Sequence, residues 1–181
     1  MRLFTVSAAV VLAALTAVAT PSEPVMSVGE RDGVYTVAAR FHVPEVPAVV
    51  REVLTDYPSI PRFMPGVRTS EVLARDGAHV RVEQEAVSKF MLFSKRIHLV
   101  LDVEEGTDVI RFRDTCNRSF VHYEGAWTIA RQGGETAVAY ELIARPAFSV
   151  PSLILRKLLD RDASLMIERL RGEIQARAAS R

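Results

Sequence analysis

Histidines at 42, 79, 98 and 122 are the side chains of this sequence best suited to moving a proton or ligating a metal near neutral pH. Either chemistry requires convergence, and none of the four has another histidine or a cysteine three or four residues away. No HExxH, GxSxG, P-loop or GxGxxG run occurs. The acids Glu83, Glu85, Asp102, Glu104 and Glu105 alternate with apolar residues, as on the solvated outer face of strands. Cys116 is the single cysteine, so no intrachain disulfide can form, and it reads as a small apolar residue buried inside a strand. These residues predict no catalytic constellation, no metal site and no cofactor.

The polar residues that sit in otherwise apolar rows are more informative. Along 120–130 one row reads Val121, Tyr123, Gly125, Trp127 and Ile129, leaving His122, Glu124 and Thr128 on the opposite face. Along 136–145 the inward row is Val138, Tyr140 and Leu142, and along 108–114 it is Ile110 and Phe112. Gln84 falls in phase with Val80, Val82 and Ala86, so when buried it needs a partner. Tyr140, Tyr123 or a ligand oxygen could serve.

The elements that must position these residues follow from periodicity. Residues 34–43 (VYTVAARFHV) read as a strand. After Pro44, a stripe of Val46, Val49, Val50, Val53, Leu54 and Tyr57 marks an amphipathic helix that Pro58 ends. From Val67 the period is two. Strands are predicted at 67–74, 78–93, 95–104, 108–114, 120–130 and 136–145, joined by short polar turns such as Asp76-Gly77 and Gly133-Gly134. Without helices between them, they form an antiparallel meander. A long closing helix runs from beyond Pro151 to about Ala178, its stripe carried by Leu155, Leu159, Ala163, Met166, Leu170 and Ile174. The fold class is α+β: a curved antiparallel sheet of about seven strands wrapped around a long C-terminal helix.

Composition sets outer limits. An apolar fraction of 49% and a charged fraction of 25% are those of a globular protein. Residues 3–22 carry no charge, and Ala17-Val18-Ala19 offers small residues where a signal peptidase reads, so 1–19 is expected to be a cleaved signal peptide, with an uncleaved anchor as the alternative. Residues 20–33 read as a linker and 34–178 as one ligand-binding domain. Removing 1–19 takes one basic residue, Arg2, and leaves 22 basic and 22 acidic side chains. That balance argues against a nucleic-acid partner. The mature protein is expected to be exported, most simply to a periplasm. The apolar run Phe90-Met91-Leu92-Phe93 beside Lys95-Arg96 reads as a hairpin end under the closing helix, and is suited to transient contact with a membrane.

Several of these residues carry a resemblance. Val53-Leu54-Thr55-Asp56-Tyr57, Pro61-x-Phe63-x-Pro65-Gly66-Val67, Ser70-x-Val72-Leu73, Gly125-x-Trp127, the strand with Thr136, Val138 and Tyr140, and the closing 165–174 (LMIERLRGEI) resemble the START-like, SRPBCC or helix-grip superfamily. The similarity is greatest to its polyketide cyclase/dehydrase and coenzyme Q-binding START branch. The resemblance implies a cavity under the long helix, with the proline-braced 58–66 segment closing one side. It implies a wall that includes Phe63, Met64, Phe90, Phe112, Tyr123, Trp127, Tyr140, Leu158 and Met166, with Gln84 orienting the ligand. The expected function is carriage of a hydrophobic small molecule such as a lipid or isoprenoid quinone. An aromatase/cyclase-like enzyme acting on a polyketide-type substrate is the alternative.

Overall fold

A computed structural model describes residues 23–64, 66–90 and 93–181, with the backbone alone for Lys89, Phe90 and Phe93. The expected signal peptide, Pro65, Met91, Leu92 and the side chain of Phe90 therefore lie outside the described residues. The strands are β1 (Val25–Arg31), β2 (Val34–Val43), β3 (Val67–Asp76), β4 (His79–Phe90), β5 (Phe93–Glu105), β6 (Val109–Asp114), β7 (Phe120–Gln132) and β8 (Glu135–Pro146). The helices are α1 (Pro47–Thr55), α2 (Ile60–Phe63) and α3 (Ser152–Ala179). All eight strands form one antiparallel sheet in the order β1-β2-β8-β7-β6-β5-β4-β3. At 28 residues, α3 is about 42 Å long and crosses the inner face of that sheet.

One strand is unexpected. The stretch read as a linker forms β1, paired with β2 through a two-residue turn at Asp32-Gly33. Both turn residues have positive φ (53° and 76°), the geometry that matches the twist of a tight hairpin. Met26 and Val28 then pack against the core, while Val25 is exposed.

The 54–66 segment is more structured than a bend. Asp56 leaves the helical region (φ −85°, ψ 66°), so α1 stops at Thr55 ahead of Pro58. A single 3-10 turn, Tyr57–Ser59, leads directly into α2. Gly66 has φ +84°, and a Cβ there would lie 2.8 Å from the carbonyl oxygen of Val87. The Gly66 carbonyl accepts from Val87 N–H at 2.8 Å, which stitches the bend to β4. Val46, expected on the apolar stripe, is instead the extended residue before α1 and is half exposed.

The core lies between the sheet and α3. Phe41, Val43, Val50, Val53, Val82, Val138, Ile167, Leu170 and Ile174 are almost completely buried, each stabilising the fold by roughly 1.5–3 kcal/mol. On α3, Leu158, expected on the cavity wall, is buried beside Leu155, Ala163, Leu170 and Ile174, and Ile167 joins them, whereas Leu159 and Met166 are half-buried. Arg177 fixes the C-terminal end of α3 against the end of α1, donating to Asp56 Oδ2 (2.6 Å) and Glu173 Oε1 (2.8 Å).

Three expectations need correction. Val121 is exposed, because a register irregularity between Phe120 and His122 turns both Phe120 and Tyr123 inward. Cys116 is half-buried in the β6–β7 loop, not inside a strand, with its thiol 3.2 Å from Asp114 Oδ1. Glu105 is not on the solvated face. It is in phase with Leu101 and Val103, and its side chain is only 9% exposed. Among the described residues, no helix is long and apolar enough to cross a membrane.

Candidate ligand cavity

Because α3 rests on both ends of a curved sheet, the middle is not filled. A cavity of about 320 Å³ lies there, reached by side chains from α1, α3, the bend and every strand but β1. It falls at the small end of the range of ligand sites, roughly 300–1,000 Å³. Its walls are mostly aliphatic and aromatic, with Leu99, Leu101 and Ile110 from the sheet and Leu158, Leu159 and Met166 from α3.

The structure brings together most of the residues singled out from sequence. Met64, Gln84, Phe112, Tyr123, Trp127, Tyr140, Leu158 and Met166 all line this cavity. Phe63 does not. It lies in a separate shallow cleft with Arg62, Arg68 and Arg169, while Met64 after it turns to the cavity. Gln84 finds a different partner from those expected. Its Nε2 donates to Ser70 Oγ at 3.1 Å, from the directly paired position on β3.

The centre is aromatic. Trp127 and Tyr140 are direct partners across β7 and β8, with ring centroids 4.4 Å apart. Phe112 lies 6.0 Å from Tyr123 and 6.3 Å from Tyr140, and Phe120 lies 4.8 Å from Tyr123. Gly125 makes this packing possible. A Cβ at this position would come within 2.5 Å of Phe112 Cζ and closer still to the carbonyl oxygen of Glu141.

The Tyr123 and Tyr140 hydroxyls are hydrogen-bonded to each other. Burial pushes the Tyr123 phenol up to about 12 and holds the Tyr140 phenol well above its ordinary range, so both stay neutral at physiological pH. Two hydroxyls sharing one hydrogen bond leave one O–H proton over. The pair can therefore donate to an oxygen of a bound molecule.

Polar contacts flank each end of the cavity. At one end Tyr57 donates to Glu105 Oε1 at 2.9 Å, and Arg75 binds the same carboxylate through two nitrogens at 3.1 Å. Arg51 reaches the adjoining carbonyl of Gly106. Burial, then the bond to Glu105, raises the Tyr57 phenol well above its ordinary range. At the other end Ser88 Oγ donates to Asp162 Oδ2 on α3 at 2.5 Å, and Lys95 Nζ lies 4.5 Å from the ring centre of Phe148.

Sequence reasoning does not single out Ser88, Lys95 or Tyr57 as site residues, and it places Glu105 on the outer face. The signal was parity. Ser88 continues the row Val80, Val82, Gln84, Ala86, and Lys95 begins the row Ile97, Leu99, Leu101. Among the described residues, no three His, Cys, Asp or Glu side chains converge as metal ligands.

The buried phenols predict alkaline lability. A phenol whose folded pKa exceeds its unfolded value of 10 contributes stability that is complete below pH 10 and lost as pH rises through the folded value. Unfolding free energies from urea titrations should therefore fall steadily above pH 10, by on the order of 1 kcal/mol per pH unit for each buried phenol. Tyr123→Phe should flatten that slope. An unchanged slope in the variant would show that Tyr123 ionises freely in the folded protein.

Residues 43–171 match the sequence profile of a family described as polyketide cyclase / dehydrase and lipid transport. Solved structures share the architecture. A Thermus thermophilus protein is 23% identical over 78% of this chain and 97% of its own, with a TM-score of 0.67. A STAR-related lipid transfer protein from Xanthomonas axonopodis is 16% identical over 83% and 98%, with a TM-score of 0.66. An aromatase/cyclase from a Streptomyces species is 15% identical over 80% and 96%, with a TM-score of 0.68. No curated protein matches the chain in sequence.

Proposed function

The chain belongs to the polyketide cyclase/dehydrase and lipid transport family, in a START-like helix-grip fold, and from that premise we propose that it holds a hydrophobic small molecule in its internal cavity as a carrier or chaperone. The ligand class is a lipid, an isoprenoid quinone or a molecule of similar character. The observation that carries this reading is the cavity itself, mostly apolar, with a tyrosine pair at its centre as a polar handle. Burying about ten CH₂ groups at ~0.8 kcal/mol each gives a gross driving force near 8 kcal/mol, the scale of micromolar binding. A carrier of this kind needs few polar contacts. Its work is done outside the cytoplasm, after removal of residues 1–19, as the Ala17-Val18-Ala19 run suggests.

A second reading rests on the tyrosine pair. A neutral O–H directed at a carbonyl stabilises charge that builds on that oxygen, which an aromatase/cyclase-like enzyme uses as a polyketide folds and loses water. Turnover of a soluble polyketide mimic would favour this reading. Binding without turnover favours the carrier.

The experiment is native mass spectrometry of protein purified from the envelope of its own cell, followed by titration of delipidated protein with oleate and with a short-chain isoprenoid quinone. Trp127 is the only tryptophan and lines the cavity, so its emission should shift or be quenched as either ligand saturates. Delipidated protein that takes up neither would overturn the carrier reading.

A further inference from the structure

We propose that the Lys95 end of the cavity is an anion subsite that holds the carboxylate or phosphate end of an amphipathic ligand while the apolar body extends toward Tyr123 and Tyr140. This rests on the ligand-binding reading above and adds the ligand's chemistry to it. Lys95 begins an inward-facing row that continues with Ile97, Leu99 and Leu101, so it is the one charged residue among them. It is paired directly across the hairpin with Ser88, and both side chains line the cavity. Its ammonium lies over the face of Phe148, and its half-buried stem leaves the charged head at the boundary between apolar wall and water.

The neighbouring charges leave that ammonium available. Among the described residues, no carboxylate lies within ion-pair distance of Lys95. Asp162, which also lines this end, is engaged on both oxygens. Oδ2 accepts from Ser88 at 2.5 Å, and Oδ1 accepts from Arg161 at 3.1 and 2.7 Å. Arg96 is exposed on the opposite face of β5. A cation at the rim of an apolar cavity, without a carboxylate partner, favours a ligand that brings its own negative charge. A carboxylate and a phosphate monoester both meet that description, and each would leave its tail in the apolar interior.

The test compares oleate, its neutral methyl ester and oleoyl lysophosphatidate on delipidated protein, by Trp127 emission at about pH 8, where both headgroups are ionised. The acid should bind about tenfold more tightly than the ester. Lys95→Met, which keeps the apolar stem, should remove that preference and leave the ester's affinity unchanged, and Lys95→Arg should retain it. The tighter of oleate and lysophosphatidate identifies which headgroup the subsite takes. Equal affinity for acid and ester in the wild type, or a preference that survives in Lys95→Met, would overturn the anion subsite while leaving the carrier reading intact. Failure of all three to bind would overturn both.

Discussion

Gly125→Ala should yield little folded protein. Gly125 sits between Tyr123 and Trp127 in the inward row of β7, paired with Phe112 on one side and Leu142 on the other. An added Cβ meets the carbonyl oxygen of Glu141 and, at 2.5 Å, the Phe112 ring. A backbone oxygen cannot move aside without breaking the β7–β8 ladder, and the ring cannot move without disturbing Tyr123 and Tyr140. The expected loss is about 3 kcal/mol or more, a large share of the stability of a domain this size. Urea denaturation of Gly125→Ala checks it, with Gly172→Ala as the control. Gly172 is on the exposed side of α3, where a Cβ meets nothing within 4 Å, so alanine there should stabilise by roughly 1 kcal/mol. Equal stability of the two variants would show that β7 and β8 can separate locally at no cost.

Ala86→Trp should abolish ligand uptake without unfolding the protein. Ala86 lies on β4 with its side chain on the cavity wall, paired with Val67 on one side and Ile97 on the other. An indole there occupies space that is empty in the wild type, so overpacking should cost no more than about 1–3 kcal/mol. The ligand then loses the volume its apolar body needs, and affinity for oleate should fall about 100-fold, the equivalent of nearly 3 kcal/mol. Circular dichroism establishes that the fold is intact, and displacement of a fluorescent fatty acid measures the affinity. Wild-type affinity in a folded Ala86→Trp variant would place the ligand outside the cavity.

Much of this architecture is legible in the residues because the signals are local. The 34–43 strand, the helix cut short before Pro58 and the glycine turns at 76–77 and 133–134 each depend on a few adjacent residues. The hairpin of β1 and β2 is equally local, with Asp32-Gly33 between two alternating runs, but its first strand has few large apolar residues and reads as a linker. The β4–β5 connection carries no glycine, proline or asparagine, so periodicity carries the first strand on to 93, whereas β4 ends at Phe90.

The cavity residues divide in the same way. Tyr123, Trp127, Tyr140, Phe112 and Gln84 can be selected because strand parity marks an inward row. Phe63 and Met64 are adjacent, and only the course of the chain after α2 decides which of them meets the cavity. The irregularity at Phe120 inverts parity over a single residue, which is why strict alternation puts Val121 on the wrong face.

The order of elements, the antiparallel meander, the closing helix and the family can all be read along the chain, since hydrophobic period and turn chemistry act over a few residues. Packing in three dimensions is needed to establish that the space under α3 stays open and that Tyr123 and Tyr140 share one hydrogen bond. The same holds for the turn of Gln84 toward Ser70 and for Lys95 meeting Phe148 beside the Ser88–Asp162 contact. Those pairings join residues from 14 to 74 positions apart. They arise from sheet curvature and from the placement of α3, which depend on the packing of the whole domain rather than on any local run of residues.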